Sequence, residues 1–104
     1  RISIAQYRVR SEAVRTYGLL RANGICEGCN TPAPFLDEGG FGFLEVHHIH
    51  RLADDGIDEP KNIVALCPNC HRRAHYSADK LAFRKLLIKV AASVEDSLTN
   101  SRRK

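Results

Sequence analysis

The sequence predicts a small α+β domain, with two short strands and a helix at its centre and a further helix at each end. Three observations predict it. Cys26-Glu27-Gly28-Cys29 and Cys67-Pro68-Asn69-Cys70 form two Cys-x-x-Cys pairs. Between them, Phe43-Leu44-Glu45-Val46 and Ile63-Val64-Ala65-Leu66 are apolar runs of strand length. After them, Phe83, Leu86, Leu87, Val90, Ala91, Val94 and Leu98 recur at i, i+3, i+4 and i+7, the stripe of an amphipathic helix. A chain of 104 residues makes one domain with a modest core, and such a core commonly needs a metal or another staple.

In chain order, residues 1 to 10 read as basic and irregular. Ser11 reads as an N-cap with Glu12 favourable behind it, which predicts a helix from Glu12 to Ala22 ended by Asn23-Gly24. Its arginines, Arg15 and Arg21, are expected to face solvent or DNA. Gly28 lets the first cysteine pair turn back on itself. Pro32, Pro34 and the glycines up to Gly42 make a loop, with a hairpin tip at Asp37-Glu38-Gly39-Gly40. Phe41, Phe43, Leu44 and Val46 lead into the first strand. Arg51 to Lys61 is a polar connection in which Asp54, Asp55 and Asp58 read as loop formers. Pro68 opens a short helix, and Ser77 caps the last one, with Asp79 in its first turn. Asn100 to Lys104 reads as a frayed basic tail. The expected organisation is one domain over 1–104: a basic helical segment over 1–24, a metal-binding core over 25–76, and the amphipathic helix with its tail over 77–104.

Lysine and arginine exceed the acids by four, and the pI is near 9.1. A polyanion such as nucleic acid suits that balance. No apolar run reaches the 18 or so residues of a membrane span. No basic-then-apolar leader is visible at Arg1-Ile2-Ser3-Ile4. The chain has no methionine, initiator included, and so reads as a fragment of a longer protein. Without a secretory signal, paired Cys-x-x-Cys motifs favour zinc over disulfides, which places the chain in a reducing cytoplasm. Cys26, Cys29, Cys67 and Cys70 thus form a structural zinc site. Four thiolates complete the tetrahedron and leave no open position for catalysis.

All five histidines lie between Leu44 and His75. The segment contains His47-His48 at a strand end, Asn62 opening the second strand, and His71-x-x-x-His75 on the helix. This order and spacing resemble the HNH nuclease motif, the ββα-metal finger that wraps one catalytic cation. The resemblance implies that His47 and His71 are ligands of a divalent cation (Mg2+, Mn2+, Co2+ or Ni2+) and that His48 is the general base. It makes His75 either a third ligand or a contact to the scissile phosphate. Asn62 would tie the loop to the first strand and so hold His48 in place. The function implied is metal-dependent hydrolysis of DNA phosphodiesters with a single cation, leaving 5′-phosphate and 3′-hydroxyl ends.

Adjacent strand residues point to opposite faces, so a ligand and a base can sit side by side only where the strand bends or ends. Arg51, Arg72 and Arg73 flank the catalytic segments as expected phosphate clamps. Glu45 shares the strand face of His47 and could orient it. His50 reads as an exposed loop residue. The resemblance spans about Arg8 to Tyr76. Arg10-Ser11-Glu12-Ala13-Val14-Arg15 and Ala33-Pro34-Phe35 narrow it to HNH domains of bacterial restriction endonucleases that cut modified DNA, in which a separate domain reads the modified base. One active site cuts one strand, so a double-strand break needs a homodimer or two sequential nicks. The rival readings are a non-catalytic, zinc-stabilised DNA-binding module and an interaction module of the RING or zinc-ribbon kind. The first leaves His47, His48, Asn62 and His71 without a reason, and the second predicts hydrophobic surface and no divalent-dependent cleavage.

Overall fold

The computed structural model describes residues 3–102, the last two by their backbone alone. The elements in order are helix α1 (Ile4–Ala22), strand β1 (Glu45–His48), strand β2 (Ile63–Leu66), helix α2 (Pro68–Tyr76) and helix α3 (Lys80–Arg102), with 3-10 turns at Leu52–Asp54 and Pro60–Asn62.

Helix α1 starts earlier than the sequence reading placed it. Ser3 caps it: the Ser3 hydroxyl accepts from the Gln6 N–H and the Gln6 side chain accepts from the Ser3 N–H. This capping box satisfies two otherwise orphaned donors, so the helix runs straight through Ser11. It ends as expected, with Asn23 left-handed at φ 50° and its N–H on the Leu19 carbonyl. The expected irregular start thus applies to none of residues 4–10, while Arg1 and Ile2, like Arg103 and Lys104 of the tail, lie outside the described residues.

β1 and β2 are antiparallel, with Glu45 opposite Leu66 and His48 opposite Ile63. Every residue of β2 is fully buried, between β1, α1 and α3. That is why β2 reads as a continuous apolar run rather than an alternating one. Helix α1 crosses it so closely that a Cβ on Gly18 would lie 2.5 Å from Ile63 Cδ1. On α3 the inner stripe is Phe83, Leu87 and Ala91, all buried, while Leu86 and Leu98 stay exposed. The apolar periodicity therefore names the correct face but overstates its width.

Arg21 overturns its expected outward orientation. Its side chain is 1% exposed and all of its N–H groups are engaged. Two bonds go to Glu27, at 2.9 and 2.8 Å, and one goes to Glu95, at 3.0 Å. The others go to the carbonyls of Pro60 and Ile63. Burial works against the charge, but the hydrogen bonds to the two glutamates outweigh it and raise the guanidinium pKa. Glu27 also accepts from the Ala65 N–H, and Glu95 from the Tyr17 hydroxyl. This cluster ties α1, the cysteine turn, β2 and α3 into one body.

Candidate metal centres and active site

The cysteine turns are built by their own backbones. The Asn30 N–H donates to the Cys26 carbonyl, and Asn30 turns the chain at φ 63°. Cys67 is the N-cap of α2, with Pro68 behind it and its sulfur accepting from the Cys70 N–H. Cys26 Sγ accepts from the N–H groups of Cys29 and Cys67. The four sulfurs lie within 4.8 Å of one another, and Cys29 and Cys67 are 4.0 Å apart. A zinc tetrahedron with bonds of about 2.3 Å separates its sulfurs by about 3.8 Å, so the set fits one such ion. The Thr31 hydroxyl draws the Cys29 thiol down to about 6, whereas burial pushes the Cys67 and Cys70 thiols up. A cation at the centre removes that penalty by neutralising the thiolates together.

The histidines form a second centre. His71 and His75 are one turn apart on α2, and β1 brings His47 against them. Their ring centroids are 4.9 to 5.2 Å apart, and one nitrogen from each falls within 4.8 Å of the others. His71 and His75 present Nε2 to each other at 3.3 Å. Glu45 contacts His71 Nδ1 at 3.0 Å, which orients that ring and leaves its Nε2 for a cation. The carboxylate expected to steady His47 thus steadies His71. Burial, then the neighbouring His71 and His75, hold His47 down at about 4, and burial, His71 and the nearby Arg51 and Arg72 lower His75. A neutral imidazole keeps its lone pair for a metal, and three imidazole donors leave coordination positions open. The donor set therefore fits a divalent cation.

His48 is the last residue of β1, where the strand ends. It lines a cavity of about 570 Å³ together with His47 and His75. Its Nε2 lies 3.0 Å from the Asp58 carboxylate. Asp58, expected to be a loop former, is instead buried at 7% exposure. Asn62 brackets the strand exit: its carbonyl oxygen accepts from the His50 N–H, and its amide donates to the carbonyls of His50 and Ile57.

The cationic residues divide. Arg51 lines the cavity and makes only a loose, exposed pair with Asp54 at 3.6 Å. Arg72 lies on the outer face of α2 over the Tyr76 ring. Arg73 is committed elsewhere, paired with Asp79 and lying over Phe83, so phosphate clamping by Arg73 would break both contacts. Lys80 and Arg84, one turn apart on α3, also line the cavity, and Arg84 contacts His50 Nδ1. The sequence reading weighed only the apolar stripe of that helix. The i, i+4 basic pair directly after the histidine helix was the signal it passed over.

Known proteins resemble this chain. The family profile described as HNH endonuclease matches residues 26–77. The Type IV methyl-directed restriction enzyme EcoKMcrA of Escherichia coli (strain K12) is 49% identical over 69 residues, 66% of this chain and 25% of that protein. The solved structure of the Type IV phosphorothioation-dependent restriction endonuclease ScoMcrA matches 86% of this chain with a TM-score of 0.77 and 35% identity. The chain spans a quarter of the first and a fifth of the second.

Proposed function

This chain belongs to the HNH endonuclease family, and from that premise we propose that it is the DNA-cleaving module of a restriction endonuclease acting on modified DNA. The observation that carries the reading is convergence. His47, His71 and His75 cluster at the edge of a cavity that His47, His75, the strand-end His48 and a cationic rim line. His47, His71 and His75 hold a single divalent cation, Mg2+, Mn2+, Co2+ or Ni2+, and Cys26, Cys29, Cys67 and Cys70 hold a structural zinc. When bound, the divalent cation supplies Lewis-acid polarisation of the phosphate and stabilises charge on the departing 3′-oxygen.

His48 takes a proton from the attacking water, whose oxygen bonds to phosphorus as the bond to the 3′-oxygen breaks. The products carry 5′-phosphate and 3′-hydroxyl ends. Asn62 holds the backbone beside His48. Arg51, Lys80 and Arg84 seat the flanking phosphates, with Arg72 at the rim.

The relatives' names, methyl-directed and phosphorothioation-dependent, support a partner domain that reads the modification elsewhere in a longer protein. A bacterial cytoplasm is the compartment consistent with the reduced cysteines and the E. coli relative. Among the described residues no helix is long and apolar enough to cross a membrane. Plasmid nicking tests the reading. Cleavage should appear on adding divalent metal, vanish with chelator, and be lost in His48→Ala. Tight DNA binding with no metal-dependent nicking would leave a zinc-stabilised DNA-binding module instead.

A further inference from the structure

We propose that Asp58 is the positioning residue for His48: its carboxylate takes the Nε2 proton in a hydrogen bond, fixes the ring, and leaves Nδ1 as the nitrogen that accepts a proton from water. The inference rests on the nuclease reading above and adds a residue to it.

Three observations carry it. The Asp58 Oδ1 atom lies 3.0 Å from His48 Nε2. Its Oδ2 atom is buried with no hydrogen-bond partner. An orphaned buried carboxylate oxygen is costly, and a loop former has no reason to carry that cost. Asp37 shows the contrast: it shapes its turn by accepting from the N–H groups of Gly39 and Phe41. Asp58 turns instead to the ring of His48.

The third observation is the way the loop is held. A Cβ on Gly56 would lie 2.2 Å from the His50 carbonyl oxygen, so only glycine lets the loop press this closely on the strand exit. The Gly56 N–H donates to the Arg51 carbonyl at 2.9 Å. The Asn62 amide then clasps the His50 and Ile57 carbonyls together. His50 is two residues past His48, and Ile57 immediately precedes Asp58. Asn62 therefore acts on His48 through Asp58, by locking both segments that carry the pair.

The chemistry follows from the donor inventory. An ionised carboxylate can only accept, so Nε2 carries the hydrogen and the neutral ring keeps its lone pair at Nδ1. When Nδ1 takes a proton from water, the ring becomes a cation with two N–H groups, and Asp58 stays paired with it through Nε2. A carboxylate that fixes the tautomer and stabilises the cation in this way acts like the third member of a hydrolase triad.

Nitrogen-15 NMR of the His48 ring, in the zinc-loaded chain without added divalent metal, tests the pairing directly. The wild type should show a protonated Nε2 and an unprotonated Nδ1, and Asp58→Ala should show a mixture of tautomers. In plasmid nicking, Asp58→Asn should lower kcat by about 10²-fold, with KM and divalent-metal affinity held near wild type. A wild-type ring protonated at Nδ1, or an Asp58→Asn variant with wild-type kcat, overturns the proposal. If no form of the chain cleaves DNA, the nuclease reading fails, while the wild-type spectrum still decides whether Asp58 holds His48.

Discussion

Replacing Arg21 by methionine should cost more stability than any other single change on α1. Methionine keeps much of the side-chain volume but removes all of the guanidinium donors. What remains are two nearly buried carboxylates, Glu27 at 8% and Glu95 at 13% side-chain exposure, and two carbonyls without their donor. Breaking one partner out of a buried ionic cluster costs about 3–5 kcal/mol. The residual bonds from the Ala65 N–H to Glu27 and from Tyr17 to Glu95 keep both acids partly satisfied. The lower end, about 3 kcal/mol, is therefore expected. For a domain near 100 residues each kcal/mol moves Tm by about 4–8 °C, so Tm should fall by at least about 12 °C. Urea unfolding of the zinc-loaded protein measures the loss, and adding Glu95→Gln to Arg21→Met should recover part of it by removing one stranded charge. A loss below about 1 kcal/mol, the range of an exposed ion pair, would refute the reasoning.

The remaining predictions concern the sites and the packing. His48→Ala should abolish nicking and keep its zinc, with Tm lowered because the buried Asp58 carboxylate loses its partner; wild-type-like cleavage across metal and pH would remove His48 from the mechanism. Cys67→Ser should lose its zinc and lower Tm, because Cys67 joins β2 to α2, and a variant that retains both would not have lost a ligand. Mild chelator washing followed by calorimetric titration should find one site that keeps its ion and one that exchanges it, with His47→Ala, His71→Ala and His75→Ala each weakening the second; finding no exchangeable ion would argue against the histidine centre. Gly18→Ala should destabilise despite alanine's better helix propensity. The added methyl meets Ile63 at 2.5 Å; overpacking costs about 1–3 kcal/mol, against about 1 kcal/mol gained in propensity. A rise in Tm would show that Ile63 moves aside freely.

The cysteine cluster and the histidine cluster were both legible in the sequence because each is assembled largely from local geometry. A Cys-x-x-Cys turn converges its own sulfurs, and an i, i+4 pair converges its own rings, whatever the rest of the chain does. The start of α1 is also written there, in Ser3 and Gln6, but Ser11 offers a competing cap and the basic residues between show no apolar periodicity. Arg21 and Asp58 were not legible. On a helical wheel Arg21 is one more cation on a basic helix, and its burial follows from Glu95, 74 positions away. Asp58 looks like its neighbours Asp54 and Asp55 until Gly56 and Asn62 fold the loop back onto β1. Glu45 was placed on the correct strand face, but its partner depended on how far α2 had rotated.

That rotation carries one more consequence. Cys70 and His71 are neighbours in the sequence, and both lie on α2. The cysteine site therefore sets the angular phase at which α2 presents His71 and His75 to His47. A helix advances about 100° per residue. Inserting a single alanine between Cys70 and His71 would leave the cysteine set complete and the histidine spacing unchanged, yet swing both rings about a quarter turn away from His47. The two side-chain clusters are geared to each other through one turn of helix, and the gear ratio is fixed by their adjacency in the chain.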